Sequence, residues 1–265
     1  MKGPMWRRLN ASLRGRGTRT LVFGHGFGTD QHVWAPYADR YADRFQVLTF
    51  DLDYLACAVE GKPPHEGLAA YADDLVALLH EGDVRNAVFV GHSVSGMIGA
   101  LAGIAAPHAF GRLILINAAP RYIEDFDYPG AFSRADVERL YEHATRAYED
   151  WVIGFAPAAT AQPRGPAVDN FARHLNDLRP DIGVAVLRSI LESDLRAILP
   201  AITTPTTLLN NRDDIVVPAS VSTYMLDHIP NATCRWLDAS GHLPHVTAVK
   251  DFTQILDALL IGEAA

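Results

Sequence analysis

Apolar residues in this chain gather in short continuous runs rather than in strict alternation with polar ones. The runs are Leu21–Phe23, Phe45–Phe50, Ala87–Val90, Leu113–Ile116, the strand-like Thr206–Leu209, and Cys234–Leu237. Stretches of helical periodicity separate most of them. A strand that is apolar on both sides needs cover on both faces, so strands of this kind alternating with helices predict an α/β protein with a mostly parallel sheet between helical layers. Further edge strands are expected around Trp6 to Leu13.

The alternation stops between Ala118 and Pro200, where the pattern is helical throughout. One helix is predicted to open at Ser133, with Asp136 three residues on as a capping box. Val137, Leu140, Tyr141, Ala144 and Tyr148 then fall on one face. A loop at Ala161–Pro166 precedes helical stretches at Ala167–Leu178 and Pro180–Leu191. The chain therefore divides into a core of residues 1–119 and 201–265 and an inserted helical lid of residues 120–200.

Chemistry enters at Gly91-His92-Ser93-Val94-Ser95, which directly follows the run ending at Val90 and directly precedes a helix-forming stretch from Gly96. A serine hydroxyl is a weak nucleophile unless it is held exposed, beside a base and near N–H donors for the developing oxyanion. A sharp strand-to-helix turn meets those needs, and small neighbours relieve the crowding it creates. The usual five-residue form of such a turn ends in glycine; here the fifth residue is Ser95. A second strand, Leu21–Phe23, ends in Gly24-His25-Gly26-Phe27-Gly28, whose backbone can approach a substrate closely. The N–H groups of Phe27 and Val94 are then the expected oxyanion donors. His25 reads as a brace for its loop rather than a proton carrier.

An acid and a base follow in the chain order that accompanies this turn. Asp213 and Asp214 compete for the acid at the end of the Thr206–Leu209 strand, and Pro218 four residues on favours Asp214. The base is His242, in Ser240-Gly241-His242 just past the last strand. Sites of open α/β sheets lie at these strand ends. No ligand pattern of Cys, Asp or Glu surrounds His242 and His245, so neither a metal nor a cofactor is expected. The lid should wall off an apolar pocket lined by Phe27, Phe132, Trp151, Phe155 and Leu191, with His25 and His92 of the two motif loops beside it.

Composition narrows the partners. The chain has 265 residues, and a formal net charge of −8 leaves no basic stripe for nucleic acid beyond Lys2, Arg7, Arg8, Arg14, Arg16 and Arg19. That basic start superficially resembles an organelle transit sequence, but the core strand at Leu21 follows too closely for it to be cleaved. No run approaches the roughly 20 apolar residues that cross a bilayer. Two cysteines, Cys57 and Cys234, form no disulfide framework. A soluble cytoplasmic protein is expected, with no nucleic-acid or membrane partner.

Taken together, the motifs resemble the α/β hydrolases of the karrikin- and strigolactone-receptor type and their bacterial RsbQ-like relatives. The resemblance spans nearly the whole chain. It rests on Gly24–Gln31 with Trp34, on Val90–Ser95 followed by Met97-Ile98-Gly99, on Pro120-Arg121-Tyr122, on Gly154–Pro157, Arg179–Ile182 and Ser193–Arg196 with Ile198-Leu199-Pro200, and on Gly241–Pro244. It implies an α/β-hydrolase fold with a V-shaped lid of four helices. It also implies a Ser93–Asp214–His242 triad and a hydrophobic pocket for small butenolide-type lactones or related esters. Plant members of that family carry serine where Ser95 stands. The chain departs from the family at Leu52–His65, which replaces a glycine-rich turn at the active-site mouth, and at Leu191, where relatives often have phenylalanine.

The expected function is that of a serine hydrolase acting on a small hydrophobic ester or lactone through an acyl-enzyme. The alternative is a ligand-sensing protein with slow or incidental hydrolysis that works through a signalling protein partner. Epoxide or haloalkane hydrolysis resembles branches of the fold that use an aspartate nucleophile, and Ser93 argues against it.

Overall fold

All six apolar runs become strands of one seven-stranded sheet in the computed structural model, which describes residues 3–261. The strands are β1 (Ser12–Arg14), β2 (Arg19–Gly24), β3 (Phe45–Phe50), β4 (Ala87–His92), β5 (Phe110–Ile116), β6 (Thr206–Asp213) and β7 (Thr233–Ser240). Their spatial order is β1-β3-β2-β4-β5-β6-β7, with β1 antiparallel to β3 and every other pairing parallel. Twelve helices accompany them among the described residues: α1 (Pro4–Arg8), α2 (Ala35–Tyr41), α3 (Asp53–Glu60), α4 (Leu68–Glu81), α5 (Val94–Ala105), α6 (Arg134–Arg146), α7 (Tyr148–Thr160), α8 (Pro166–Asp177), α9 (Pro180–Leu191), α10 (Ala219–His228), α11 (Pro244–Thr247) and α12 (Val249–Ile261). None of them is long and apolar enough to cross a membrane.

The two-residue period of a strand sends its side chains to opposite faces, and the central strands bury both. Val22, Phe89, Leu113 and Leu115 join Leu75 and Leu78 of α4 and Met97 and Ile98 of α5 on one side. Leu21, Phe23, Val88, Val90, Ile114 and Ile116 pack against Trp34, Tyr37 of α2, and Phe252 and Leu256 of α12 on the other. Each such side chain contributes about 1.5–3 kcal/mol by leaving water. Helix α5 lies close to β4, because Gly99 leaves room for the Phe89 ring.

The expected edge strand at Trp6 is instead a helix. Pro4 stands at the first helical position, and the Glu81 carboxylate at the end of α4 accepts the Met5 and Trp6 amides at 3.1 and 3.3 Å. A proline at N1 and an anion at the N-terminus both favour a helical start. Of the expected region only Ser12 and Leu13 pair, joined by Arg14 in β1 at the sheet edge.

Four helices, α6 to α9, stand between β5 and β6 and cover the carboxyl ends of the strands. The capping box is present, with the Asp136 amide donating to Ser133 Oγ at 3.2 Å and the Ser133 amide donating to Asp136 Oδ2 at 2.9 Å. The predicted first helix ends at Arg146, because Ala147 is extended at φ −150° and ψ 71°, and Tyr148 begins α7. The stretch after Asp51 forms α3, closed by Gly61 at φ 69°. Buried Asp53 holds it in place by pairing with Arg8 of α1, and His65 stands 3.4 Å from Asp53 and 2.8 Å from Asp74.

Helix α8 is fastened to the loop after β2 by both packing and charge. Phe171 and Leu175 press on Gly28, where a Cβ would lie 2.7 and 2.6 Å from them. His174 Nε2 faces Asp30 Oδ2 at 3.4 Å, and its Nδ1 donates to the Asn170 carbonyl at 2.7 Å. The hydrogen bond to Asp30 raises His174 above the ordinary histidine value, against its partial burial. Burial alone would raise Asp30, but hydrogen bonds from His174 and the His32 amide hold it below the usual carboxylate range.

Two outcomes follow from this packing. Gly99→Ala is expected to lower stability by about 1–3 kcal/mol through overpacking against Phe89, read as a lower urea midpoint at unchanged slope. The His174 contribution belongs to the protonated ring, so it is fully present below the unfolded value of 6.5 and is lost as pH rises through the raised folded value. The stability difference between wild type and His174→Gln in urea should therefore be largest at acidic pH and vanish on the alkaline side.

Candidate active site

Ser93 sits where β4 meets α5, and the turn between them is strained. Its backbone lies at φ 54° and ψ −122°, a region that non-glycine residues rarely occupy. The Ser93 amide donates to the Ile116 carbonyl at 2.8 Å, which ties the turn to the end of β5. A Cβ on Gly91 would lie 2.7 Å from the Ser95 carbonyl, and one on Gly96 would lie 2.6 Å from the Ala118 side chain. Residues larger than glycine at 91 and 96 would push the helix start away from the strand. Val94 is the first residue of α5, so its N–H has no acceptor within the helix.

His242 approaches from the loop after β7. Its Nε2 is 2.8 Å from Ser93 Oγ, and its Nδ1 is 2.7 Å from Asp214 Oδ2. With Nδ1–H donating to the carboxylate, Nε2 is left to accept the serine proton. The other Asp214 oxygen accepts the Val216 amide at 2.8 Å, and the aspartate side chain is wholly buried. Both of its oxygens are therefore satisfied, as a buried carboxylate requires. Asp213, at the end of β6, is exposed and contributes its carbonyl, which accepts the Gly241 amide at 2.7 Å.

The histidine loop is pinned from three directions. The His242 amide donates to the Ala159 carbonyl in the last turn of α7 at 2.6 Å. Its own carbonyl accepts His92 Nε2–H at 2.8 Å and Asn117 Nδ2–H at 3.1 Å. Asn117 in turn receives the Asn211 amide at Oδ1, 2.9 Å away, and donates its amide to Asn210 Oδ1 at 2.9 Å. Asn211 Nδ2 reaches the Gly241 carbonyl. This asparagine network was not anticipated; its sequence signal is an asparagine directly past β5 facing a pair at the end of β6.

His25 and His92 do not line the cavity in front of Ser93. His25 is fully buried; its Nδ1–H donates to the Gly26 carbonyl and its Nε2 accepts the Leu52 amide, both at 2.9 Å. Burial holds its pKa below the ordinary value. His92 lies behind the site, where burial first and the His245 and His242 rings second push its pKa far down. His245, stacked on Trp34 with centroids 4.5 Å apart, is lowered to about 3 by burial. These rings are neutral packing elements at neutral pH.

The cavity at Ser93 and His242 has a volume of about 50 Å³. Phe27, Phe132, Phe155 and Leu191 line it as expected. Trp151 does not; it stacks on the back of Phe155 with centroids 5.0 Å apart. Tyr122, Leu140, Phe171, Leu187, Ile190 and Val216 complete the wall. Burial pushes the Tyr122 hydroxyl up to about 12. Phe27 leans on Tyr54 of α3 at 6.2 Å, so that segment does reach the site. Among the described residues, Asp53, His65 and Asp74 are the group close enough to share a cation, but Arg8 already supplies the positive charge there and none of the three lines the cavity.

Residues 21–255 match the model of the Alpha/beta hydrolase family. The chain is 40% identical over 256 residues to Strigolactone esterase RMS3 of Pisum sativum, covering 94% of this chain and 95% of that protein. It is 36% identical over 249 residues to Karrikin insensitive 2 receptor CA of Petunia hybrida, covering 90% of each. Among solved structures, a hydrolase from Oleispira antarctica superposes with a TM-score of 0.92 at 26% identity, covering 97% of this chain and 96% of that one. With the strand order, the strained serine turn and these matches in agreement, the chain belongs to the alpha/beta hydrolase family and is a hydrolase related to the strigolactone esterases and karrikin receptors.

Proposed function

We propose that this protein cleaves a small hydrophobic ester or lactone, with Ser93 as nucleophile, His242 as proton carrier and Asp214 as its partner. The observation that carries this reading is the unbroken hydrogen-bonded chain from Ser93 Oγ through His242 to buried Asp214, opening on an apolar cavity. Ser93 Oγ attacks the carbonyl carbon while its proton passes to His242 Nε2. The resulting imidazolium is stabilised by Asp214. The Phe27 and Val94 amides receive the oxyanion, each worth on the order of 10² to 10³ in rate. His242 then protonates the departing oxygen, and water, deprotonated by the same nitrogen, releases the acid from Ser93. No cofactor or metal takes part in this scheme.

The lining supports the substrate class, because apart from Ser93, Tyr122 and His242 every wall residue is apolar. The name of the pea relative, a strigolactone esterase, supports a lactone-bearing ester in the same way. A cavity of about 50 Å³ is far smaller than ligand pockets, which run from about 300 Å³ upward. Residues 120–200 would thus act as a lid that parts to admit substrate. The same closure supports a second reading, a ligand sensor whose helical layer presents a changed surface to a protein partner, as the receptor relative's name suggests.

Intact-protein mass, followed over time after mixing with an aryl ester and a synthetic butenolide, tests the first reading. Wild type is expected to show turnover through a transient adduct on Ser93, and Ser93→Ala to lose about 10⁶-fold in kcat. Hydrolysis by Ser93→Ala at the wild-type rate would sink the proposal. For the second reading, ligand should change amide exchange across residues 120–200; an unchanged pattern removes its basis.

A further inference from the structure

The fifth residue of the serine turn, Ser95, has no part in the scheme above, yet its side chain is placed with care. It is fully buried as the second residue of α5, and its Oγ–H donates to the His25 carbonyl at 2.5 Å. On the β2 side, a Cβ at Gly24 would lie 2.9 Å from Ser95 Cβ and 3.0 Å from its hydroxyl. The strand thus ends in glycine opposite the one turn residue that is larger than the usual glycine. The two positions fit each other.

The two backbone groups assigned to the oxyanion come from separate elements. Val94 opens α5, whereas Phe27 sits on the loop after β2. Beyond the β2–β4 ladder, which ends at Gly24 and Gly91, their spacing depends on what joins the loop to the helix. Ser95 is one residue from Val94 and bonds to a residue two before Phe27. His25 is itself fixed at Gly26 and Leu52 through its ring. Thr29 Oγ1–H donates to the Gly26 carbonyl at 3.0 Å and braces the loop from its far end. The hydroxyl of Ser95 is therefore a strut across the gap between the two donors.

We infer that Ser95 is a positioning residue that sets the distance between the Phe27 and Val94 amides. A donor placed loosely stabilises the oxyanion poorly, since such sites hold geometry only within about 0.5 Å. A glycine or alanine at this position leaves the His25 carbonyl without its donor and lets the loop drift. Substrate binding, which rests on the apolar wall, is unaffected. The inference rests on the hydrolase reading above.

The test compares wild type, Ser95→Ala, Ser95→Gly and Ser95→Cys with an aryl ester and with a boronic acid, whose tetrahedral adduct places an oxygen where the oxyanion forms. Ser95→Ala and Ser95→Gly are expected to lose about 10- to 100-fold in kcat, with KM within about twofold. Boronic acid affinity should fall by the same factor as kcat/KM. Ser95→Cys, which keeps a weak donor, should recover part of the loss. Urea unfolding of each variant identifies damage to the fold, which would move KM and kcat together with the midpoint. Wild-type kcat and boronic acid affinity in Ser95→Ala overturn the strut alone. A wild-type protein that neither hydrolyses the ester nor binds the boronic acid overturns the reaction, and the strut with it.

Discussion

A serine held at φ 54° between a buried strand and a helix is an unfavourable conformation, and much of the molecular centre is organised to keep it there. The Ile116 carbonyl holds its amide, glycines at 91 and 96 let strand and helix approach, and Gly99 seats the helix on Phe89. Each of these contacts belongs to the parallel ladder or to its immediate cover. If β4 and β5 did not lie side by side with their carboxyl ends level, the Ile116 carbonyl would not be available. The reactive geometry is in this sense a by-product of the sheet register, and it inherits the rigidity of the best-buried part of the fold.

The loop carrying Phe27 is held differently, by contacts with elements distant in sequence. His25 reads the Leu52 amide with one nitrogen and the Gly26 carbonyl with the other, so the chain just after β3 supports the loop after β2. The support comes from the main chain at Leu52 and not from a side chain there. What the loop needs from it is a backbone N–H, which survives any side-chain replacement except proline. Helix α3, which follows, is tied down at Asp53 by Arg8 and offers Tyr54 to Phe27.

Strands were legible because both faces of the sheet are covered, which turns burial into continuous apolar runs. Ser93, Asp214 and His242 were legible because each lies three to five residues past such a run, just beyond the carboxyl end of its strand. Asp214 over Asp213 could be argued only indirectly from Pro218, and the structure separates them by burial. Other features left no local trace. Nothing in Arg146-Ala147-Tyr148 breaks a helix, since no proline or glycine marks it; in the structure the buried Tyr148 ring lies against Gly183 of α9. Trp151 and Phe171 could not be sorted into wall and backing, because both occupy helical faces that are buried and differ only in what they face. The asparagines at 117, 210 and 211 looked like ordinary loop residues until the strands brought them together.

The bond from the His242 amide to the Ala159 carbonyl joins the histidine loop to the last turn of α7. Gly241 beside it, at φ 90°, is packed so closely on Thr160 that no side chain fits between the two segments. On the triad proposed above, a guest that lifted that helix would draw the imidazole away from the serine. Whatever free energy favours the raised helix is subtracted from the aligned base, and the reverse holds with equal size. Selectivity in such a site would need no contact to the discriminating part of the guest, because an oversized molecule that raised the helix would draw the histidine out of line.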